Sequence, residues 1–289
     1  MPLLEHSFFT QLQGLRLISR RQAQGRLFGE ARGHRTGRSG EFADHRHYIP
    51  GDDVRDIDWP AFWRLRKPFV KLSESHEERP VHIVLDATSS MSFGEPSRWD
   101  YARRLALALA FVALDGGSSA QFILFGKQPE ILIPPFHGLN RFRHLCDRLE
   151  SVALVGDGRV AESLMLLPHL CSGRGLVLVL SDFLDEQPVG RSLSALAGTR
   201  HEVVLVHLVT PWEAHPDLDG IYELEDAETS ELTAVDSGES SLREYHRRFN
   251  QHAEELRKLA LRRGTHYLYA STDKNEIVLV RKILSILNT

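Results

Sequence analysis

VHIVLDATSSMS, residues Val81–Ser92, is the stretch that decides the fold, because a short apolar run in it ends in an acid and a cluster of hydroxyls. An apolar run with little alternation is typical of a strand buried on both faces, as in parallel sheets. Asp86 then stands at the carboxyl end of the predicted strand. In an open α/β sheet this end faces the crevice where ligands bind. The pattern therefore predicts that Asp86 lies in a binding site.

Two hydroxyls and a second acid extend this prediction. Thr88 and Ser90 alternate with Asp86 in an Asp-x-Thr-x-Ser pattern, and a second apolar run, GLVLVL, ends in Ser181 and Asp182. Carboxylate and hydroxyl oxygens are hard ligands that suit Mg²⁺. Two predicted strands thus bring two acids to one edge of the sheet. An alternative remains open, since Ser and Thr after a strand also cap helices and Asp also stabilises turns.

The regions around these strands alternate between helix and strand. Apolar residues at helical spacing predict an amphipathic opening helix at 8–23. The Gly- and Arg-rich stretch at 25–40 shows no periodicity and is predicted to be irregular. Alternation on both sides of a turn predicts a hairpin inserted at the edge of the sheet at 218–237. We further predict strands at 81–85, 120–125, 131–133, 175–180, 202–209 and 266–270, and helices at 98–114, 140–149, 160–170, 188–197, 242–263 and 275–287. Such alternation implies right-handed crossovers and a doubly wound α/β fold with a mainly parallel sheet of Rossmann-like type.

The acids and hydroxyls resemble the metal-ion-dependent adhesion site of von Willebrand factor A domains, which uses Asp-x-Ser-x-Ser, a separate Thr and a later Asp. Asp86, Thr88, Ser90 and Asp182 match this pattern, with Thr88 in place of the first Ser. Where the family has Gly-Gly-Thr, this chain has Gly-Asp-Gly-Arg at 156–159. The resemblance implies a Mg²⁺ site in which Asp157 replaces the missing Thr, with a partner protein's carboxylate as the last ligand.

A more specific resemblance precedes the first strand. The run EFADHRHYIPGDDVRDIDW at 41–59, followed by Trp63-Arg64 and by Phe69-Val70-Lys71, is similar to the signature of the bacterial family called domain of unknown function fifty-eight. Asp226–Thr229 resembles a further turn of that family, whereas Pro60–Leu65 departs from it. Within the run, the turn at Pro50–Asp53 predicts paired extended segments on its two sides. We therefore expect an extension at 1–79 that carries the signature and a von Willebrand factor A-like domain at 80–289.

The family resemblance also implies a function. It suggests a non-enzymatic protein–protein interaction module that works with a MoxR-type AAA+ ATPase on an unknown client protein, in a chaperone-like or assembly role. Two alternatives stay open at this point. One is a metal-independent scaffold. The other is a Mg²⁺-dependent phosphatase of haloacid-dehalogenase type, with acids at Asp86, Asp182 and Asp185, although that class has a second acid where this chain has Thr88, and Lys127 is the one lysine between Asp86 and Asp182.

Composition narrows the classes of partner. A net charge of −4 and an isoelectric point near 6.4 argue against a general phosphate-binding surface. The Arg-rich first 40 residues indicate a solvated arm or a face that docks onto an acidic protein, and we expect no nucleic-acid partner, although such a stretch could also touch nucleic acid or an anionic membrane. Cys146 and Cys171 are too far apart to indicate a disulfide framework or a zinc cluster. No apolar run approaches the roughly 20 residues that span a bilayer. We therefore expect a cytoplasmic protein.

Overall fold

A computed structural model of the chain describes residues 6–15, 41–49, 57–74, 79–156, 159–185, 189–217, 220–225, 232–236 and 238–288. The helices and strands in these ranges are α1 His6–Leu12, β1 Glu41–His47, α2 Trp59–Leu65, β2 Phe69–Glu74, β3 Val81–Asp86, α3 Arg98–Asp115, β4 Ala120–Phe125, β5 Glu130–Phe136, α4 Phe142–Glu150, α5 Val160–Leu170, β6 Leu176–Ser181, α6 Gly190–Ala197, β7 Glu202–Val209, α7 Pro211–Ala214, β8 Ile221–Glu225, β9 Leu232–Asp236, α8 Glu239–Arg262, β10 His266–Ser271 and α9 Glu276–Asn288.

Six of the strands form one sheet in the order β10–β7–β6–β3–β4–β5. All neighbouring pairs are parallel except β4 and β5, which are antiparallel. The order reverses between β3 and β6, because the chain proceeds from β3 toward one edge and returns with β6 on the other side. This is the strand order of doubly wound nucleotide-binding folds, in which ligands bind at the reversal point. The predicted fold class is confirmed.

Two apolar layers cover the sheet, one on each face. Alternate residues of each strand point to opposite faces, so Ile83 and Leu85 pack against α3, α4 and α9, while Val84 packs against α5, α6 and α8. Helix α3 is buried along nearly its whole length because it lies across the middle of the sheet. The core thus fixes the direction in which β3 and β6 end, and with it the positions of the residues that follow them.

The edge strand β5 differs from its prediction. The predicted strand ends at residue 133, but β5 continues through Pro134 and Pro135 to Phe136. A proline lacks the N–H of a ladder, which is tolerated on an edge strand or at a bulge. β5 is an edge strand, and its register with β4 shifts on both sides of Phe122. Both conditions are therefore met.

The N-terminal part of the chain also departs from the predictions. The opening helix ends at Leu12, and the remainder of its predicted range from 16 onward, the stretch 25–40 and the turn at 50–53 lie outside the described residues. β1 pairs with β2, while the residues that directly follow the turn lie outside the described ones. Asp58 does not lie on a ladder; its carboxylate caps α2 by accepting a hydrogen bond from the Ala61 N–H at 3.0 Å.

The predicted hairpin forms as β8 and β9, but they make a two-stranded sheet of their own.

The chain divides into two compact units. One contains α1 and the elements from β3 to α9, and the other contains β1, α2 and β2. In the part of the chain that the structure describes, no helix combines the length and the apolarity needed to cross a bilayer.

Candidate functional site at the carboxyl edge of the sheet

The candidate site lies at the reversal point of the sheet, where β3 and β6 end side by side. Leu85 and Leu180 are paired in the parallel register, so Asp86 and Ser181 follow as neighbours. Asp86, Ser181 and Asp182 are all buried. The sequence prediction that two strands bring two acids to one edge therefore agrees with the structure.

The carboxylate of Asp86 has only neutral hydrogen-bond donors around it. One oxygen accepts from the Thr88 N–H at 3.0 Å, and the other accepts from the Ser181 hydroxyl at 2.5 Å. Burial, followed by the nearby charge of Asp182, raises the pKa of Asp86 to about 7, although the hydrogen bonds from Ser181 and Thr88 act in the opposite direction. A buried carboxylate of this kind gains from any cation that approaches it.

The two predicted hydroxyl ligands lie together beside this carboxylate. Thr88 Oγ1 and Ser90 Oγ are 2.9 Å apart; Thr88 is buried and Ser90 is half-buried. A short 3₁₀ turn, Ser89–Ser92, begins directly after Thr88 and directs these side chains. The two oxygens are close enough to bind one ion, and Ser90 is open to solvent on one side.

A third chain segment borders the hydroxyls. Val155 donates its N–H to the Ala87 carbonyl and accepts from the Ser89 N–H, both at 2.9 Å. The backbone just before position 156 is thereby tied to the loop that carries Thr88. Asp157, the predicted substitute for the missing Thr, lies outside the described residues, so its role stays a prediction.

Asp182 has a partner that the sequence prediction missed. The Arg98 guanidinium donates to the Asp182 carboxylate at 2.6 Å and lies 3.1 Å from the carboxylate of Glu213, and only 4% of the Arg98 side chain is exposed. A cation in the first turn of a helix opposes the helix dipole. Arg98 is the first residue of α3, where a positive charge needs acids nearby to compensate it. This position was the sequence signal that could have indicated the neighbouring acids.

Glu213 also had a sequence signal. It is the third residue of α7 and forms a capping box with Thr210, whose N–H and hydroxyl each donate to its carboxylate at 2.8 Å. Thr-x-x-Glu before a short helix is the pattern of such a box. Arg98 therefore links the loop after β6 to the loop after β7.

The charges around Arg98 do not sum to zero. The Arg98 guanidinium is paired with two carboxylates, those of Asp182 and Glu213, and the charge of Asp182 also acts on the buried Asp86. His207, on the neighbouring strand, adds no positive charge, since burial and the charges of His252 and Arg98 lower its pKa to about 3. The pocket therefore has an excess of negative charge.

The donors in this pocket suit Mg²⁺ by type. They are carboxylate and hydroxyl oxygens, which this ion prefers, and the excess negative charge favours a cation. In the ranges that the structure describes, no three His, Cys, Asp or Glu side chains are grouped in a way that would hold a metal. A metal here thus depends on the hydroxyls of Thr88 and Ser90 as well as on the acids.

The structure places the other residues of the phosphatase alternative as follows. Asp185, the third acid of that pattern, accepts from the Ala161 N–H at 2.8 Å at the start of α5, and so is directed to a helix terminus. Lys127 is exposed in the turn after β4. The oxygens of Asp86, which would be the nucleophile, are both engaged by hydrogen bonds from Thr88 and Ser181.

Large apolar side chains surround the pocket. Phe93, directly after the 3₁₀ turn, has its ring centroid 5.2 Å from that of Trp212 in α7, and the Arg98 guanidinium lies over the Phe93 ring at 5.7 Å. Leu184 follows Asp182 by two residues. Phe93 is 38% exposed, Trp212 37% and Leu184 49%. Phe93 and Trp212 are thus an exposed aromatic pair beside Arg98, and Leu184 donates its N–H to Asp182; we call these three side chains the apolar rim.

Several proteins of known sequence or solved structure are similar to this chain. An uncharacterized protein of Mycobacterium tuberculosis is 29% identical over 229 residues, covering 75% of this chain and 70% of its own length, and one of Mycobacterium bovis matches equally. Among solved structures, BatB from Bacteroides thetaiotaomicron is 16% identical with a TM-score of 0.46, covering 72% of this chain and 98% of that one. A von Willebrand factor type A protein from Catenulispora acidiphila is 13% identical with a TM-score of 0.46, covering 76% of this chain and 43% of that one.

The family assignment rests on the sequence itself. The profile described as "Protein of unknown function DUF58" matches residues 44–256, which is most of the chain and includes both the Pro50–Asp53 signature and the two acids at the strand ends. This agrees with the resemblance inferred from the signature before β3. The chain belongs to the DUF58 family.

Proposed function

We propose that this protein is a non-enzymatic protein–protein interaction module whose carboxyl-edge pocket binds Mg²⁺ and presents it to an acidic side chain of a partner. The observation that carries the proposal is the excess of carboxylates over cations in a buried pocket that also holds two adjacent hydroxyls. Excess buried charge is costly unless a counter-ion compensates it.

Each residue of the pocket has a separate part in the proposal. Thr88 and Ser90 supply neutral oxygens, while Asp86 and Asp182 supply negative charge, either directly or through water. Arg98 fixes Asp182 in place through the 2.6 Å ion pair. When bound, Mg²⁺ would supply an open coordination position to a carboxylate from outside the chain. Asp157 remains the proposed additional oxygen ligand.

The apolar rim supports the docking of a protein. Phe93, Leu184 and Trp212 are exposed beside the pocket, and interfaces combine buried aromatic anchors with a small number of oriented polar contacts. A partner that presents an Asp or Glu flanked by apolar side chains would fit both the centre and the rim. In line with the family resemblance, we propose a MoxR-type AAA+ ATPase in the cytoplasm as that partner, acting with this protein on a client in a chaperone-like or assembly role.

Thermal and denaturant unfolding with and without Mg²⁺ tests the metal site. A ligand that binds only the folded state at about one hundred times its Kd raises the free energy of unfolding by about 3 kcal/mol. We expect this stabilisation in the unmutated protein and its loss in Asp86→Asn and Asp182→Asn. Asp217→Asn, which changes an exposed acid, is the matched control and should keep the response. Equal stability of the unmutated protein in Mg²⁺ and in chelator would contradict the metal site.

Affinity capture tests the partner. The intact protein, immobilised and incubated with a purified MoxR-type ATPase, should retain it in Mg²⁺ and release it in chelator, whereas Trp212→Ser should weaken retention without changing the Mg²⁺ response. Retention that persists in chelator would support an interaction without metal. No retention in either condition would contradict the proposed partner.

One observation favours the second candidate, a metal-independent scaffold. Arg98 already neutralises Asp182, and a guanidinium can replace a metal as the structural cation of such a site. In that case the same rim would bind the partner, and the stability of the protein would not respond to Mg²⁺. The unfolding experiment therefore separates the two candidates.

A further inference from the structure

A second surface, in the other compact unit of the chain, carries its own binding chemistry. Helix α2 begins at Trp59, after the cap formed by Asp58, and ends at Leu65. Trp59 is 52% exposed, Trp63 67% and Leu65 51%, which are high fractions for such large apolar side chains. Exposed apolar groups at this density mark interaction sites more often than ordinary surface.

The two tryptophans point the same way. They are four residues apart, so they lie on one face of the helix, and Ala61, on the opposite face, is buried. The Phe62 ring packs edge-on between them, with centroids 5.9 Å from Trp59 and 6.0 Å from Trp63. The indole rings are therefore held in place as they project away from the buried side of α2.

Basic side chains accompany these rings. Arg64, Arg66 and Lys67 are exposed, and the Arg66 guanidinium lies over the Trp63 ring at 5.8 Å. From 59 to 73 the sequence contains four basic residues and no acid, although the whole chain has a net charge of −4. The Asp58 carboxylate just before α2 is buried and engaged as the helix cap. The exposed charge of residues 59–68 is therefore positive.

A further apolar side chain extends the surface. The Tyr48 N–H donates to the Pro68 carbonyl at 3.0 Å, which brings the end of β1 beside the segment that follows α2. Ile49, the next residue, is 57% exposed. We define the aromatic-basic patch as the side chains Ile49, Trp59, Trp63, Arg64, Arg66 and Lys67.

We propose that the aromatic-basic patch docks this protein onto an anionic lipid bilayer surface. Tryptophan is the residue most suited to the boundary between headgroups and acyl chains, where its ring is buried and its N–H remains hydrated. Lysine and arginine beside it are attracted to anionic headgroups. The patch combines apolar insertion with charge attraction, which is the two-part signal that reversible membrane binding requires.

Projecting rings fit a bilayer better than a folded partner. A soft surface deforms around Trp59 and Trp63, whereas a protein partner needs preformed pockets of matching shape. Nucleic acid and an acidic protein carry the same sign of charge as anionic lipids, so they are the alternatives that the experiment must separate. The inference does not depend on the metal pocket, because every residue of the patch lies in the unit of residues 25–78.

Co-sedimentation with vesicles tests the proposal. The full chain, in chelator so that the metal pocket plays no part, is mixed with phosphatidylcholine vesicles that contain or lack phosphatidylglycerol. We expect binding to the anionic vesicles and at least about tenfold weaker binding to the neutral ones. Arg64→Glu with Lys67→Glu should reduce the binding constant by about 30-fold, and Trp63→Ser by about tenfold.

The matched controls lie on the long helix α8 and its end. Leu261→Ser changes a side chain that is 62% exposed, and Arg262→Glu with Arg263→Glu changes two exposed arginines; both variants should bind vesicles as the unmutated protein does. Near-ultraviolet circular dichroism checks folding. If Trp63→Ser does not fold, the charge-reversal variant, which alters only exposed side chains, decides the outcome by itself.

A second measurement reports how deeply the rings of Trp59 and Trp63 insert into the bilayer. Phosphatidylglycerol with brominated acyl chains should quench the tryptophan fluorescence of the bound protein, and Trp59→Phe with Trp63→Phe should remove most of that quenching. The proposal is overturned if the protein shows no preference for anionic vesicles, or if the patch variants bind as well as the controls. It is also overturned if a single-stranded oligonucleotide or a polyglutamate peptide binds the patch while the vesicles do not.

Discussion

The two ends of strand β3 both bury polar side chains, yet only one of them is electrically balanced. At the amino end, His82 is fully buried and its Nδ1 donates to the Gln121 side-chain oxygen at 2.5 Å. Gln121 in turn donates to the Leu170 carbonyl at 3.2 Å. Burial lowers the pKa of His82 and of the adjacent His201, so this end holds neutral groups, although the buried His82 Nε2 has no hydrogen-bond partner among the described residues.

The carboxyl end is arranged differently. Asp86, four residues after His82 on the same strand, has neutral donors only, and the guanidinium of Arg98 is shared by Asp182 and Glu213. Neutral buried groups need only hydrogen bonds, whereas buried charges need counter-charges. The comparison teaches that the amino end needs no counter-charge, while the carboxyl end depends on a proton, an ion or a partner.

The largest expected effect of a substitution lies at the carboxyl end. Arg98→Met keeps the apolar length of the side chain but leaves Asp182, which is 1% exposed, without its cation. Breaking a buried pair by removing one partner costs about 3–5 kcal/mol. We expect a loss of that size in the free energy of unfolding, measured in denaturant with chelator present, and a partial recovery in Mg²⁺.

A double variant is the control for this prediction. Arg98→Met combined with Asp182→Leu removes both charges of the pair, and replacing a buried pair by apolar groups is often nearly neutral. The double variant should therefore be more stable than Arg98→Met alone. A loss below about 1 kcal/mol in the single variant would mean that water already screens the pair, and the contrast between the two ends would disappear.

A smaller effect is expected at the amino end. Gln121→Leu leaves the His82 Nδ1 and the Leu170 carbonyl without the partners they have now. An unsatisfied buried polar group costs about 1–3 kcal/mol, so the free energy of unfolding should fall by about 2 kcal/mol. Mg²⁺ should not restore it, because no charge is uncovered. A Mg²⁺-dependent recovery would show that the two ends are not distinct in this way.

The elements of the sheet could be predicted from the sequence because the physics that forms them is local. The buried runs at β3 and β6 and the apolar helix α3 are visible as uninterrupted hydrophobic patterns, and these patterns also determine which residues follow each strand. The pairing of β1 could not be found in the same way. Its partner β2 lies beyond α2, and a local turn signal says nothing about a strand that pairs across an intervening helix.

The candidate site was predictable to the same extent. Asp86, Thr88, Ser90 and Asp182 follow directly from strand ends, but Arg98 and Glu213 reach the pocket from elements that the strand pattern does not describe. Ion pairs between residues 84 positions apart in the chain depend on tertiary packing. The charge balance of the pocket, unlike its location, therefore required the structure.

The pH dependence of the free energy of unfolding should also distinguish the two ends of β3, by a moderate effect. The pKa of Asp86 is raised from 3.8 to about 7 in the folded chain, so the folded state keeps a proton that the unfolded state has released. The contribution of this group is fully present below its unfolded pKa and is lost as the pH rises through about 7. In chelator, stability should fall by about 2 kcal/mol between pH 5.5 and pH 8 from this group.

Asp86→Asn isolates that contribution. The substitution should remove the fall attributed to Asp86, while His207 acts equally in both proteins. The pKa of His207 is lowered to about 3, so its contribution is present above its ordinary value and is lost as the pH decreases toward 3. The difference between the two unfolding curves therefore reports Asp86 alone. Parallel curves from pH 5.5 to pH 8 would contradict a raised pKa at this end of the strand.

The smallest expected effect on stability is also the most specific for the metal. Ser90→Ala removes one hydroxyl of the pair, but Ser90 is half-buried and the Thr88 side chain also hydrogen-bonds with Asp86, so the metal-free protein should lose less than about 1 kcal/mol. Its affinity for Mg²⁺, measured by titration calorimetry, should fall by about tenfold.

Ser92→Ala is the matched control, because Ser92 lies on the same 3₁₀ turn but is exposed and donates to the Ser89 carbonyl at 2.7 Å. If both variants change Mg²⁺ affinity equally, the turn as a whole matters and the hydroxyl pair is not the ligand. If only Ser90→Ala lowers the affinity for Mg²⁺, the hydroxyl pair of Thr88 and Ser90 binds the cation that the carboxyl end of β3 requires. The difference between the two ends of β3 then has a chemical explanation.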